Sequence, residues 1–387
     1  MKSSFVMFFI IVFTVYAVGS LYLFVRGWQS LEIIGRHRVW FAVVFWIAAL
    51  SYIVSQALLM GGVSGSVLNI FFIIGSCWIA IMLYGFLMSF AIDIFRIIGW
   101  AGKIKPNFIY DNYMLAKAFI FGAFCIIVSI IFGVGFSKAL HPRITHLEIS
   151  IDKQAGHLNK LRAVMISDLH LGHIHGDKFL TRVVDIINQQ NPDIVFLAGD
   201  IYDGAIAPVI DNDLGANFNK LKTKYGVYFA IGNHEYLGAR QMTDGLEKAV
   251  EYLISRGVQP LLDTVELIDG SFYVAGRKDK TDIERKSIPE ILNDADNSLP
   301  LIILDHQPFN LHEAEQAEID LQLSGHTHHG QMFPLNYLIS RMYEKDWGFL
   351  QKNKTHYYIS CGVGTWGPPI RTAGFSEIVV IDIEFSD

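Results

Sequence analysis

Five short segments of the 387-residue sequence carry side chains that bind metal ions. Asp168 and His170 stand two apart, and Asp200 follows Gly199, with Asp203 three residues further on. Asn233, His234 and Glu235 follow Gly232; Asp305 precedes His306; His326 and His328 flank Thr327 after Gly325. Imidazole and carboxylate donors together suit Mn, Fe, Zn or similar divalent ions, and a carboxylate can bridge two of them, so the inventory suits a dinuclear centre. Any one segment would pass as an ordinary polar loop. Position sets them apart, because each directly follows a short apolar run rich in β-formers.

Those runs, residues 161–166, 194–198, 227–231, 301–304 and 321–323, read as strands. Open α/β sheets place their chemistry just beyond the carboxyl ends of strands, which is where all five segments fall. Helices lie between them. Residues 178–190 carry Phe179, Val183, Ile186 and Ile187 at helical spacing and stop before Asn191 and Pro192. Residues 244–256 begin at Asp244, with Glu247 completing a capping box, and end before Gly257. Two late strands, 357–360 and 378–385, complete a layered α/β domain that starts near Leu147.

The first third of the chain is of another kind. Residues 5–25, 39–60, 67–92 and 118–136 are apolar runs long enough to cross about 30 Å of hydrocarbon at 1.5 Å per residue. Four in succession exceed what a soluble core requires, and the first continues past the usual length of a signal-peptide core. Residues 1–136 hold 8 Lys/Arg against 3 Asp/Glu, whereas the remainder is acidic, within a chain of 31 Lys/Arg and 37 Asp/Glu. An acidic soluble part disfavours nucleic acid as a partner, and no protein partner is indicated. Cys77, Cys125 and Cys361 are too few and scattered for a disulfide framework. The expected organisation is a four-helix transmembrane anchor over residues 1–140 and a soluble domain over 141–387. Arg26, Arg36 and Arg38 lie between the first two runs, and Arg96, Lys103, Lys105 and Lys117 between the last two. Basic loops stay cytoplasmic, so the soluble domain is expected on the extracytoplasmic side of a multi-pass membrane protein, although Lys138, Arg143 and Lys153 pull the other way.

In order, Asp168-x-His170, Gly199-Asp200-x-x-Asp203, Gly232-Asn233-His234-Glu235, His306 and Gly325-His326-x-His328 resemble the motif blocks of the calcineurin-like metallophosphoesterases, over residues 163–385. The resemblance implies a four-layer αββα sandwich holding two divalent metal ions. By motif position, Asp168, His170 and His328 would hold the first, Asn233, His306 and His326 the second, and Asp200 would bridge them. It further implies hydrolysis of a phosphoester or pyrophosphate by in-line attack on phosphorus, with His234 as the acid and Asp203 as the group that orients and charges its ring. Protein Ser/Thr phosphatases of the superfamily have Arg where this chain has Gly204, which argues against a phosphoprotein substrate. The block running on to His329, Gly330 and Gln331, with Gly362, Gly364, Thr365 and Arg371, is similar to bacterial membrane-associated or exported phosphoesterases, among them UDP-diacylglucosamine pyrophosphatases. Those have Gly where His329 stands, and a solvated loop histidine is the expectation there.

Other readings compete. His173, His175 and Asp177 echo the core motif of the metallo-β-lactamases, but Lys178 occupies the place of its next histidine. A non-catalytic receptor or sensor on the same fold would be marked by loss of Asn233 or His234, and neither is lost. The same ligands serve mono-, di- and pyrophosphate esters, so substrate and native metal stay open. Residues 331–350, with Phe333, Leu338 and Trp347 among many apolar side chains, either form a lid that dips into lipid, which favours an amphiphilic substrate over a soluble one, or pack onto the domain's own core.

Overall fold

The computed structural model describes residues 2–61, 65–103, 109, 111–240 and 242–386. Contacts divide the chain into two compact units, Met1–Val134 and Gly135–Asp387.

The first unit is built from helices α1 (Lys2–Ser30), α2 (Arg38–Met60), α3 (Ser66–Ala101) and α4 (Tyr113–Leu140), the last of which continues into the second unit. All four are long and apolar enough to cross a membrane. Large apolar side chains such as Val15, Val44, Phe95 and Ile126 stand exposed on them, a surface suited to hydrocarbon rather than water. Small and polar residues face inward: Ser20, Ser51, Ser55 and Ser76 are buried, and Gly75 packs against the Tyr52 backbone. Helix α3 runs nine residues past the apolar stretch ending at Ile92, because Asp93 is paired with Arg26 and accepts from the Tyr22 hydroxyl at 2.6 Å.

The second unit holds two six-stranded sheets. One has the order β1 (Arg143–Ile151), β12 (Glu377–Phe385), β2 (Lys160–Ile166), β3 (Ile194–Ala198), β4 (Val227–Ala230), β5 (Gln259–Pro260). The other has β10 (Gly348–Lys352), β11 (Thr355–Ile359), β9 (Leu321–Ser324), β8 (Leu301–Leu304), β7 (Phe272–Gly276), β6 (Thr264–Ile268). Side chains alternate across a strand, and the core follows that period. Ala163, Met165, Phe196 and Ala198 meet Val274, Ile302, Leu304 and Leu321 in the core shared by the sheets. Their neighbours Val164, Ile166, Val195 and Leu197 turn outward onto Leu180, Val183 and Ile187 of the helix Asp177–Gln189 and Leu253 of the helix Gly245–Ser255. Leu301, Ile303 and Tyr357 pack on Ile288, Leu311 and Ala314 on the opposite outer face. The result is the four-layer sandwich expected from the resemblance.

The five strands before the ligand segments lie where the apolar runs predict them. Strands β1, β5, β6, β7 and β10 were not anticipated from the runs. The helix Gly245–Ser255 forms without the expected capping box: Asp244 adopts a left-handed φ of 54°, and its side chain caps no backbone N–H.

Candidate metal centre

Strands β2, β3 and β4 pair in parallel in one sheet, and β8 and β9 do so in the other, so the loops after them gather at one end of the sandwich. The loops are knitted together by backbone bonds: Asp168 N donates to Gly199 O at 3.0 Å and His170 N to Asp200 O at 3.1 Å. Five of the expected ligands take left-handed backbone, with φ of 54° at Asp168, 51° at His170, 55° at Asp200, 72° at His326 and 49° at His328. Non-glycine residues adopt this region at a cost, and they concentrate where side chains must be aimed. Two motif glycines leave room for them. A Cβ on Gly199, which is itself left-handed, would overlap the His306 ring, and one on Gly325 would overlap the Asp168 carboxylate.

The ligand atoms of Asp168, His170 and His328 lie within 4.8 Å of one another, as do those of Asp200, His306 and His326. His170 Nε2 faces His328 Nε2 at 3.0 Å, and the latter is 3.4 Å from Asp168 Oδ1. His306 Nδ1 lies 2.7 Å from Ala198 O and donates its proton there, which aims Nε2 at Asp200 Oδ2, 3.1 Å away. Ring nitrogens that face each other or a carboxylate at such distances require a cation between them, a proton or a metal ion. Among the described residues, Asn233 Oδ1 is buried with no hydrogen-bond partner, and His306 Nε2 faces only the Asp200 carboxylate without a hydrogen bond of good geometry. A buried amide oxygen left over beside aimed imidazoles is a donor set with the composition of a divalent-metal site.

Electrostatics support that reading. Burial pushes the Asp168 carboxyl up to about 6 and the His326 ring down to about 4. Burial also works against the charge of Asp200, but His306 outweighs it and holds that carboxyl well below its usual range. The six side chains are thus packed densely enough that charge on one depends on its neighbours.

Asp203 sits between two rings, with Oδ1 3.7 Å from His170 Nδ1 and 3.8 Å from His234 Nδ1. These are ion-pair distances rather than hydrogen bonds. Burial raises the Asp203 carboxyl to about 6, while His234 works to lower it. His234 retains 19% of its side-chain exposure, packs edge-on to His170 at 4.5 Å, and its backbone N–H donates to Asp200 Oδ1 at 2.8 Å.

Several residues do more, or other, than their sequence positions suggested. Glu235 is fully buried and its carboxylate accepts four backbone N–H groups, from Gly232, Asp200, Ile201 and Tyr202. It therefore fixes the loop that carries Asp200 as well as capping the turn at Gly232. Asp305 turns away from the centre and pairs with Arg277 and Arg285. His175 is buried, with Nε2 accepting from Thr365 N at 3.0 Å. His329 is not a solvated loop residue: its Nδ1 lies 2.7 Å from Asp346 Oδ2 and its ring packs on Trp347 at 4.9 Å. Arg371, fully buried, donates to the carbonyls of Gly362 and Gly364 and lies 3.2 Å from His328 Nδ1, backing that ring.

A family profile for the calcineurin-like phosphoesterases matches residues 161–330, which span all five ligand-bearing segments. A transmembrane protein with metallophosphoesterase domain from Danio rerio is 29% identical, over 97% of this chain and 89% of its own. An uncharacterized metallophosphoesterase of Helicobacter pylori is 30% identical over 72% of this chain and 74% of its own, and one of Campylobacter jejuni is 32% identical over 61% and 62%. The chain belongs to the calcineurin-like metallophosphoesterase family. It is a metal-dependent phosphoesterase hydrolase joined to helices of membrane-spanning length, and its relatives include both bacterial and animal proteins.

Proposed function

We propose that this protein is a membrane-anchored phosphoesterase with two divalent ions, which cleaves a phosphoester or phosphoanhydride bond of an amphiphilic or lipid-linked substrate. Residues 1–140 serve as the anchor and 141–387 as the catalytic domain, placed extracytoplasmically by the basic loops. Asp168, His170 and His328 hold one ion; Asn233, His306 and His326 hold the other; Asp200 bridges them. Ions bound there supply Lewis-acid charge for the phosphoryl oxygens and make attacking water more acidic. The protein's own groups do the rest. Glu235 holds the Asp200 loop still, Asp203 keeps the His234 ring oriented, and His234 donates the proton to the departing oxygen.

The observation that carries the lipid reading is the segment after His328. The helix Asn336–Met342 buries none of its residues, and Phe333, Tyr337, Leu338 and Met342 are each at least half exposed. An apolar cluster of this size on a water-soluble face would be a liability, whereas beside a bilayer it is a wedge. Hydrogen bonds tie it to the point where α4 enters the catalytic unit: Phe333 N donates to Thr372 Oγ1 at 2.9 Å, Thr372 N to Gln331 O at 3.0 Å, and the adjoining Arg371 N to Gly135 O at 2.9 Å. The segment is not uniform, however. Met332 is buried, and Trp347 donates to Glu377 at 3.1 Å and packs edge-on to Phe375, so these belong to the core.

The test compares turnover of a phospholipid ester in vesicles with that of a small soluble phosphodiester. Phe333→Ser with Leu338→Ser is expected to lower lipid turnover about tenfold, and soluble turnover less than about twofold, at an unchanged melting temperature. Equal losses on both substrates, or none, refute the wedge; Trp347→Ser should lower stability instead.

A further inference from the structure

One cavity of the catalytic unit plays no part in the centre described above. It has a volume of about 250 Å³, and Arg277, Lys280, Arg285, Phe309 and Glu313 are among the residues lining it. Pockets that take whole ligands span roughly 300–1,000 Å³, so this one suits a single group of a larger molecule.

The cavity is built on the loop that carries His306. Asp305, directly before that histidine, is buried and takes Arg285 Nη2 at 2.5 Å and Arg277 Nη1 at 3.4 Å. Gln307, directly after it, donates to both oxygens of buried Asp279, at 2.8 and 3.0 Å. Phe309 then packs at a tilt against Tyr343, with ring centroids 4.8 Å apart, and the two rings lie 6.5 and 6.2 Å from the ring of His326. The cavity and the second group of ligands thus share one aromatic boundary.

Charges in and around the cavity are matched with one exception. Glu313 pairs with Arg277 at 2.6 Å, Asp305 with Arg285, and Asp282 with Lys278 at 3.3 Å. Lys280 has no carboxylate within ion-pair distance among the described residues, and its ammonium lies over the Phe309 ring, 4.1 Å from the centroid. A ring face positions an ammonium without cancelling its charge. Lys280 is solvent-exposed, and its contact with Phe309 leaves the ammonium at the open side of the cavity, where an incoming anion can reach it.

We propose that Lys280 and Phe309 form a subsite that receives a second anionic group of the substrate, beyond the phosphate that is cut. The proposal rests on the metal centre being the phosphoester site. It makes Lys280 a specificity-determining residue: phosphoesters carrying a distal charge bind better than those without one. A lysine acts as a point charge rather than a planar fork, so either a carboxylate or a second phosphate satisfies it.

The test uses the full-length protein in detergent with excess Mn²⁺ and measures binding by calorimetry, so that no turnover is needed. The probes are phenyl phosphate, 4-carboxyphenyl phosphate and 1,4-phenylene bisphosphate, which differ only in the distal group. The wild-type protein is expected to bind at least one charged probe about fivefold tighter than phenyl phosphate. Lys280→Gln should abolish that advantage while changing the phenyl phosphate affinity less than about twofold, and Lys280→Arg should retain most of it. A gain for both charged probes identifies a general anion subsite; a gain for the bisphosphate alone identifies a second phosphate. Equal affinity for all three probes, or an advantage that survives in Lys280→Gln, overturns the subsite and leaves the metal centre's reading intact. Failure of the wild-type protein to bind phenyl phosphate at all overturns both.

Discussion

Glu235 and Asp200 are linked by a hydrogen bond from the Asp200 backbone N–H to Glu235 Oε2, 3.1 Å long, inside the protein. The same oxygen accepts Gly232 N at 2.7 Å, and Oε1 accepts Ile201 N and Tyr202 N at 2.6 and 3.1 Å. One carboxylate thus holds the backbone on both sides of the expected bridging ligand.

Glu235→Gln should therefore be far from conservative. Its amide would point two donors at a cage made only of donors, leaving buried N–H groups unpaired. A loss of about 2–4 kcal/mol is expected. Unfolding in denaturant measures it, and metal content should fall with it, because the Asp200 loop is no longer fixed.

Asp200→Asn and His234→Ala should separate binding from chemistry. The first should leave less than half the wild-type metal per chain by elemental analysis, because the proposed bridging carboxylate would serve both ions. The second should keep the metal while reducing kcat by about a hundredfold or more, the usual scale of a lost general acid. Chelation of the wild-type protein should abolish activity, and added divalent metal should restore it.

A pH signature is expected from His175. Burial first, and Arg371 second, push its ring down to about 3, so the folded protein holds it neutral. The unfolded chain takes up a proton below the ordinary value of about 6.5. This residue's contribution is thus complete above that pH and is lost as pH falls toward 3. Between pH 7 and pH 5 it should cost about 2 kcal/mol of stability. Unfolding of His175→Gln at the two pH values should show a shallower decline than wild type by that amount, and an equal decline would contradict the assignment.

Topology can be read with reporters. A reporter joined after Phe136 should behave as extracytoplasmic and one joined near Lys103 as cytoplasmic, if the basic loops govern insertion. The reverse pattern would place catalysis on the cytoplasmic face.

Much of the centre was legible because metal ligands directly follow apolar strands, and a five-residue run such as Ile194–Ala198 with no exposed side chain is hard to read as anything but a buried strand. The strands that escaped are of a different kind. Strand β1 lies at a sheet edge and is mostly exposed or half-buried, with only Ile149 and Ile151 buried, and β5 is two residues long. The hairpin of β6 and β7 did carry a signal: Asp269 and Gly270 between two β-rich runs, both left-handed in the structure, are a strong turn pair. Glu235 was visible as a residue at the start of a helix, but its four donors come from two loops brought together only by sheet pairing. Arg371 was visible as a member of the tail block but not in its role behind His328, and Lys280 had no local pattern to betray it, since both depend on partners distant in sequence.

The pairing of β1 with β12 sets a timetable for biosynthesis. Thr145 and Glu377, joined by a 3.1 Å hydrogen bond across these strands, are 232 residues apart, and β12 lies between β1 and β2. While the ribosome is still making the intervening chain, the place between the edge strand β1 and β2 is a gap, and contacts spanning so much sequence form late. The four apolar helices leave the ribosome long before. Hydrolytic capacity should consequently arise only in molecules whose helices have already met the bilayer, so that nascent chains stalled before residue 377 are inserted but inert.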